Sequence, residues 1–192
     1  MTDGRAGLRE LLDEIAGPAA APGAGAVSGI VTAMAAGLIA SAARRSPEWV
    51  AGRGVVAQAE SLRARVERLA EENEAAYLAA RALIDQAAAG DATSSDEEMG
   101  KALDTAAELP LAIAEVAYDV VLLGAETADR AAPGGAEDAA AAAVLAEAAA
   151  HAAAGLIAAN LASISGDARV AHAHRLAAAA SDAVRRSVLA QS

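Results

Sequence analysis

The sequence predicts an all-α protein, an up-and-down bundle of about six or seven long helices rich in alanine and glycine. Three observations carry this. Apolar residues fill 55% of the 192 positions but aromatics only 2%, with no Phe, so alanine supplies most of the apolar content. Alanine is the strongest helix former, and so thin a side chain reaches normal packing density only where helix backbones approach closely. Strand-forming residues are too scattered to define a sheet. Clusters of Gly and Pro then divide the chain into long helical stretches. One domain spanning residues 1–192 accommodates all of them.

Taken in order, Arg5 to Ala16 reads as a short amphipathic helix with Leu8, Leu11, Leu12 and Ile15 on one face, ended by Gly17. Pro18 to Gly25 is a loop, because two prolines and two glycines interrupt it. A long helix follows from about Ala26 to Ser46, stopped by Pro47. On it Gly25, Gly29, Ala33, Gly37 and Ser41 recur every four residues and form a nearly bare ridge. Each helical glycine costs about 1 kcal/mol relative to alanine, so the ridge predicts a backbone packed against it and places this helix at the bundle's centre. The next helix spans about Val55 to Ala89, its apolar stripe set by Leu62, Val66, Leu69, Tyr77, Leu83 and Ile84. After a loop at Gly90–Thr93, the overlapping capping boxes Ser94…Glu97 and Ser95…Glu98 start another helix. Pro110 predicts a kink or a boundary, and Leu111 to Arg130 is helical. Pro133-Gly134-Gly135 is a break. Long helices from Ala136 to about Ser163 and from Ala168 to Leu189 complete the chain, separated by Gly166-Asp167.

Charge and composition exclude several function classes. The net charge of -11 repels phosphate backbones, so nucleic acid is not an expected partner. Without cysteine there is no disulfide, thiolate nucleophile or cysteine-held metal. The start of the chain lacks a secretory apolar run, and a cytoplasmic location is expected. Pro18 to Ala43 holds no charge and is long enough for a membrane span, but it is mostly Ala and Gly, which gain little from hydrocarbon. A buried helix with no membrane partner is the expectation.

Few residues suggest chemistry. His151 stands four residues after Glu147, a spacing that suits a local ion pair. His172 and His174 point about 200° apart on one helix and cannot share a metal; no metal site is expected. The loop Pro22-Gly23-Ala24-Gly25 at a helix start has free amides suited to an anion, though such starts are common. Arg44 and Arg45 suit either a carboxylate clamp or a helix C-terminus, and spacing favours the second. Asp138 reads first as an N-terminal helix acid. Asn160, among Ala, Leu and Ile, is expected to be at least half buried and to need partners. Asp138 and Asn160 lie about 33 Å apart along one helix, so they cannot touch one small ligand within a single chain unless the helix bends back, whereas a symmetric antiparallel dimer could bring one from each subunit together.

The order of several segments resembles the formimidoyltetrahydrofolate cyclodeaminase and methenyltetrahydrofolate cyclohydrolase family. They are Leu11-Leu12-Asp13-Glu14-Ile15-Ala16, Pro22-Gly23-Ala24-Gly25-Ala26-Val27, Glu74-Ala75-Ala76-Tyr77, Ala106-Ala107-Glu108-Leu109-Pro110-Leu111, Glu137-Asp138-Ala139 and Asn160-Leu161-Ala162-Ser163-Ile164. Departures are Ala24 and Ala26 where the family has Gly and Ser, and Asn73 in place of an Asp. Arg44-Arg45-Ser46-Pro47-Glu48-Trp49 stands where the family has a lysine-rich segment, with Arg44, Arg45 and Arg53 as candidate replacements. The resemblance implies a cytoplasmic all-α homodimer whose small-molecule site is completed across subunits. It implies a metal-independent lyase or hydrolase of one-carbon metabolism, with no covalently bound cofactor and a tetrahydrofolate derivative as substrate. Asp138 would be the catalytic acid/base; Pro22, Gly23, Gly25, Arg44, Arg45 and Asn160 would bind substrate. The alternatives are a divergent enzyme cyclising, hydrolysing or deaminating a non-folate substrate, and a catalytically silent dimeric scaffold.

Overall fold

A computed structural model describes residues 4–18, 22–89, 96–162 and 166–190. It contains α1 (Gly4–Ala16), α2 (Ala24–Arg44), α3 (Gly52–Ala88), α4 (Asp96–Arg130), α5 (Gly135–Asn160) and α6 (Ala168–Ala190), with no strand among the described residues. The loop at 90–93, the Ser94 and Ser95 capping boxes and the end at Ser163 lie outside the described residues. Pro110 is neither a boundary nor a start: α4 runs through it.

The helices alternate up and down. α4 packs against α2, α3, α5 and α6, while α3, α2, α5 and α6 follow one another around it. α4, rather than the glycine-bearing α2, is therefore the central helix. Its Ile113, Val116, Val120 and Val121 are fully buried together with Ile39 of α2 and Val66 of α3. Around these few branched side chains the core is alanine: Ala35, Ala36 and Ala40 of α2 and Ala142, Ala146, Ala150 and Ala153 of α5 are all inaccessible.

Close approach is achieved where the sequence is barest. A methyl group on Gly29 would sit 2.8 Å from Cβ of Ala70, so α2 meets α3 nearly backbone to backbone there. Gly124 plays the same part between α4 and α5, where a Cβ would lie 3.1 Å from that of Ala143. The predicted ridge is thus half right. Gly25, Gly29 and Ala33 are buried, but a side chain at Gly37 would meet nothing within 4 Å.

The reason is that neighbours cover only part of α2. Val27, Ile30, Val31 and Leu38 are half-buried and Met34 is 59% exposed, forming one apolar stripe. The outer side of α5 matches it, with Ala141, Val144, Leu145, Ala148, Ala152 and Gly155 exposed. Both helices are long and apolar enough to cross a membrane, but 61% of the most apolar window of α2 and 44% of that of α5 are buried in the bundle. α1 packs against none of the other helices, leaving Leu8 and Leu12 exposed.

Candidate functional site

Four helices leave a cavity of about 440 Å3 at one end of the bundle. α2 contributes its first residues, Gly23 to Gly25; α3 contributes Asn73, Glu74, Tyr77 and Arg81; α4 contributes Leu103, Ala106 and Pro110; α5 contributes Leu156 and Asn160. Each polar group arrives there for a local reason.

Helix α2 starts at Gly23 with no side-chain cap, so amides of its first turn are left for whatever occupies the cavity. Gly25 makes room for Asn73, because a Cβ there would fall 2.1 Å from Oδ1 of that amide. Asn73 is only 8% exposed, and its side chain makes no hydrogen bond among the described residues.

Asn160 owes its place to Pro110. A residue at 110 would ordinarily donate its backbone N–H to the carbonyl of Ala106, and proline has none. Nδ2 of Asn160 donates to that vacated carbonyl instead, at 2.8 Å. This fixes the amide at the cavity rim with its own oxygen uncommitted. Asn160 is exposed in the single chain, not half-buried as its apolar neighbours predicted, because it occupies the last turn of α5 at the cavity's open side.

The charged lining is nearly balanced. Glu74 is half-buried and forms no ion pair among the described residues. Arg81 is held by Asp85 through two hydrogen bonds at 3.0 and 3.1 Å. That carboxylate, with Tyr77 as a lesser contributor, raises the guanidinium's pKa further above its ordinary value. Ile84, Leu103 and Leu156 supply apolar wall.

The predicted site residues divide between the two ends of α2. Gly23, Gly25 and Asn160 line the cavity, with Pro22 half-buried just before it. Arg44, Arg45 and Asp138 lie at the other end, about 30 Å away along the helix. There Arg45 bonds the Asp138 carboxylate, and Arg44 bonds Oε1 of Glu60 at 2.7 Å. The pair with Arg44 keeps the Glu60 carboxyl below its usual range. The helix start predicted for Asp138 is served by Glu137, whose Oε2 accepts from the Gly134 amide at 2.6 Å. Beside Arg44 an open hollow of about 640 Å3 is lined by Trp49, Val50 and Arg53, but Val50 is 98% exposed and the hollow draws on only one connection of the fold.

Two of the histidines, His151 and His172, bridge neighbouring helices. Nε2 of His151 lies 2.8 Å from Oγ of Ser181 on α6 rather than pairing with Glu147, and His172 lies 3.3 Å from Glu115 on α4. Sequence reasoning missed Asn73, Tyr77 and Arg81 as one lining, although their spacing of four residues marks a single face of α3.

The model of one protein family, described as formiminotransferase-cyclodeaminase, matches residues 7–179. The crystal structure of formiminotetrahydrofolate cyclodeaminase from Thermotoga maritima is similar in fold, with a TM-score of 0.79 and 23% sequence identity over 94% of each chain. No curated protein sequence matches significantly.

Proposed function

The chain belongs to the formiminotransferase-cyclodeaminase family, and from that premise we propose that the cavity at the start of α2 binds a one-carbon adduct of tetrahydrofolate and closes or opens its five-membered ring. The observation that carries this is the convergence on one cavity of Asn73, Glu74, Asn160 and the uncapped α2 amides. Polar groups of three helices meet in a mostly apolar recess, as in a small-molecule site.

The chemistry needs proton transfer at a tetrahedral carbon. In ring closure a substrate nitrogen attacks the carbon of a protonated formimino group and gives up its proton. The C–N bond to the departing nitrogen then breaks, and that nitrogen leaves as ammonia carrying the proton. Ring opening by water runs through the same kind of carbon, with the water's proton passed to the ring nitrogen. Glu74 is the carboxylate in the cavity's lining, and we assign it this shuttle. Asp138 reaches the cavity only from a second subunit. The matching apolar stripes of α2 and α5 support an antiparallel homodimer in which it does so, with Arg45 beside it.

Calorimetric titration with 5-formyltetrahydrofolate, together with loss of methenyltetrahydrofolate absorbance, tests the assignment. Heat of binding and turnover are expected. In Glu74→Gln turnover should fall by about 10²–10⁴ with binding within a few fold. Neither heat nor absorbance change in the wild-type protein would end the folate reading.

A further inference from the structure

A proline well inside a 35-residue helix needs a reason. Proline is disfavoured there because it has no N–H and its ring crowds the carbonyl four residues earlier. In α4 that carbonyl belongs to Ala106, and both residues line the cavity. The carbonyl can only accept, so whatever reaches it from α5 has to donate. Nδ2 of Asn160 does so at 2.8 Å. This decides something that an asparagine otherwise leaves open. The oxygen and nitrogen ends of a carboxamide have nearly the same shape, and an exposed one turns between them. With Nδ2 tied to α4, Oδ1 is the end left for the cavity, and it makes no other hydrogen bond among the described residues.

We infer that Pro110 is a positioning residue. By withholding a backbone N–H it leaves the carbonyl of Ala106 to Asn160, and so presents the ligand with a fixed acceptor in place of a turning amide. The matching feature of the ligand is an N–H or O–H donor at this rim. A side chain held before the ligand arrives loses less rotational freedom on binding, and affinity gains accordingly. The consequence for binding rests on the cavity being the substrate site proposed above; the link between α4 and α5 does not.

Asparagine occurs only at positions 73 and 160, so protein labelled with 15N-asparagine shows two side-chain amides in an NMR spectrum, assigned by Asn160→Ala. In wild type one Asn160 amide proton should lie downfield and exchange slowly with water. Pro110→Ala and Pro110→Val both restore the N–H that competes for Ala106, and valine keeps most of the buried ring's bulk. In each, the Asn160 signal should move to that of a solvated amide. Binding is read by calorimetric titration with 5-formyltetrahydrofolate, with circular dichroism melts to identify folded variants. Each position-110 variant and Asn160→Ala should weaken it by about tenfold. Combined with Asn160→Ala, a change at 110 should add nothing further, because the two residues act as one unit. A proline that served only the shape of α4 would leave the Asn160 signal in place and add its effect to that of Asn160→Ala; either result in a folded variant would overturn the inference. If neither variant at 110 folds, the wild-type spectrum decides, and a freely exchanging Asn160 amide would overturn it. Absence of binding to wild type would end the folate reading, while the NMR comparison would still decide whether Pro110 orients Asn160.

Discussion

At Gly25, 2.1 Å separates the position of a missing methyl group from Oδ1 of Asn73. The atom in the way is the far end of a short side chain, so an alanine there would push the amide aside rather than unfold the protein. Alanine also favours a helix by up to about 1 kcal/mol over glycine. The expected result for Gly25→Ala is therefore a melting temperature equal to or above wild type, combined with at least about tenfold weaker ligand binding as Asn73 leaves its seat. Tight binding by a well-folded Gly25→Ala protein would show that Asn73 is not held by this glycine. The same scale explains why the site was hard to read. Asn73 sits among Glu71, Glu72 and Glu74, a run that looks like a solvated face. Only the bare start of α2 packed over it makes it buried, and that packing partner lies about fifty residues earlier. The role of Asn160 likewise depended on Pro110, which sequence reasoning treated as an interruption; α4 instead continues through the proline and exports one carbonyl to α5.

Among elements, α2 shows what an alanine-rich helix gains from glycine. Its start and stop were legible from the Pro22–Gly25 loop and from Pro47, since those residues act on the backbone locally. Which side of it would be covered was not legible, because Ala and Gly line nearly its whole circumference and carry little directional signal. Gly29 is pressed against α3 while Gly37 faces outward. Leucine at position 29 should therefore cost about 1–3 kcal/mol by overpacking, at any protein concentration. A Cβ at position 37 meets nothing within 4 Å in its own subunit, so leucine there should cost little in the isolated chain, and any larger effect should vary with protein concentration as it meets a second subunit. Equal, concentration-independent losses in urea unfolding of the two variants would contradict this difference between the two glycines.

For the whole molecule, the exposed apolar stripes of α2 and α5 lie side by side on antiparallel helices and carry almost no charge. Together they cover roughly 30 Å by 20 Å, from helix dimensions, the scale of one partner's share in a standard interface. A twofold axis through the middle of that face sets the start of α2 in one subunit against its end in the other. The two halves of the predicted site, separated by the length of α2 in one chain, then adjoin across the axis. Arg45 and Asp138 are 93 positions apart and already bound to each other, so they would arrive as one rigid unit. This arrangement makes a specific demand on mixtures. Glu74→Gln and Asp138→Asn homodimers should each be nearly inactive. Dissociated and reannealed together, they form hybrids in which one site collects both substitutions and the other collects neither. Turnover should then recover to about a quarter of wild type at random pairing, whereas a site built within one chain recovers nothing. Activity that stays flat in the mixture, with hybrid formation verified by mass, would assign the whole of catalysis to the cavity of a single subunit and remove Asp138 from it.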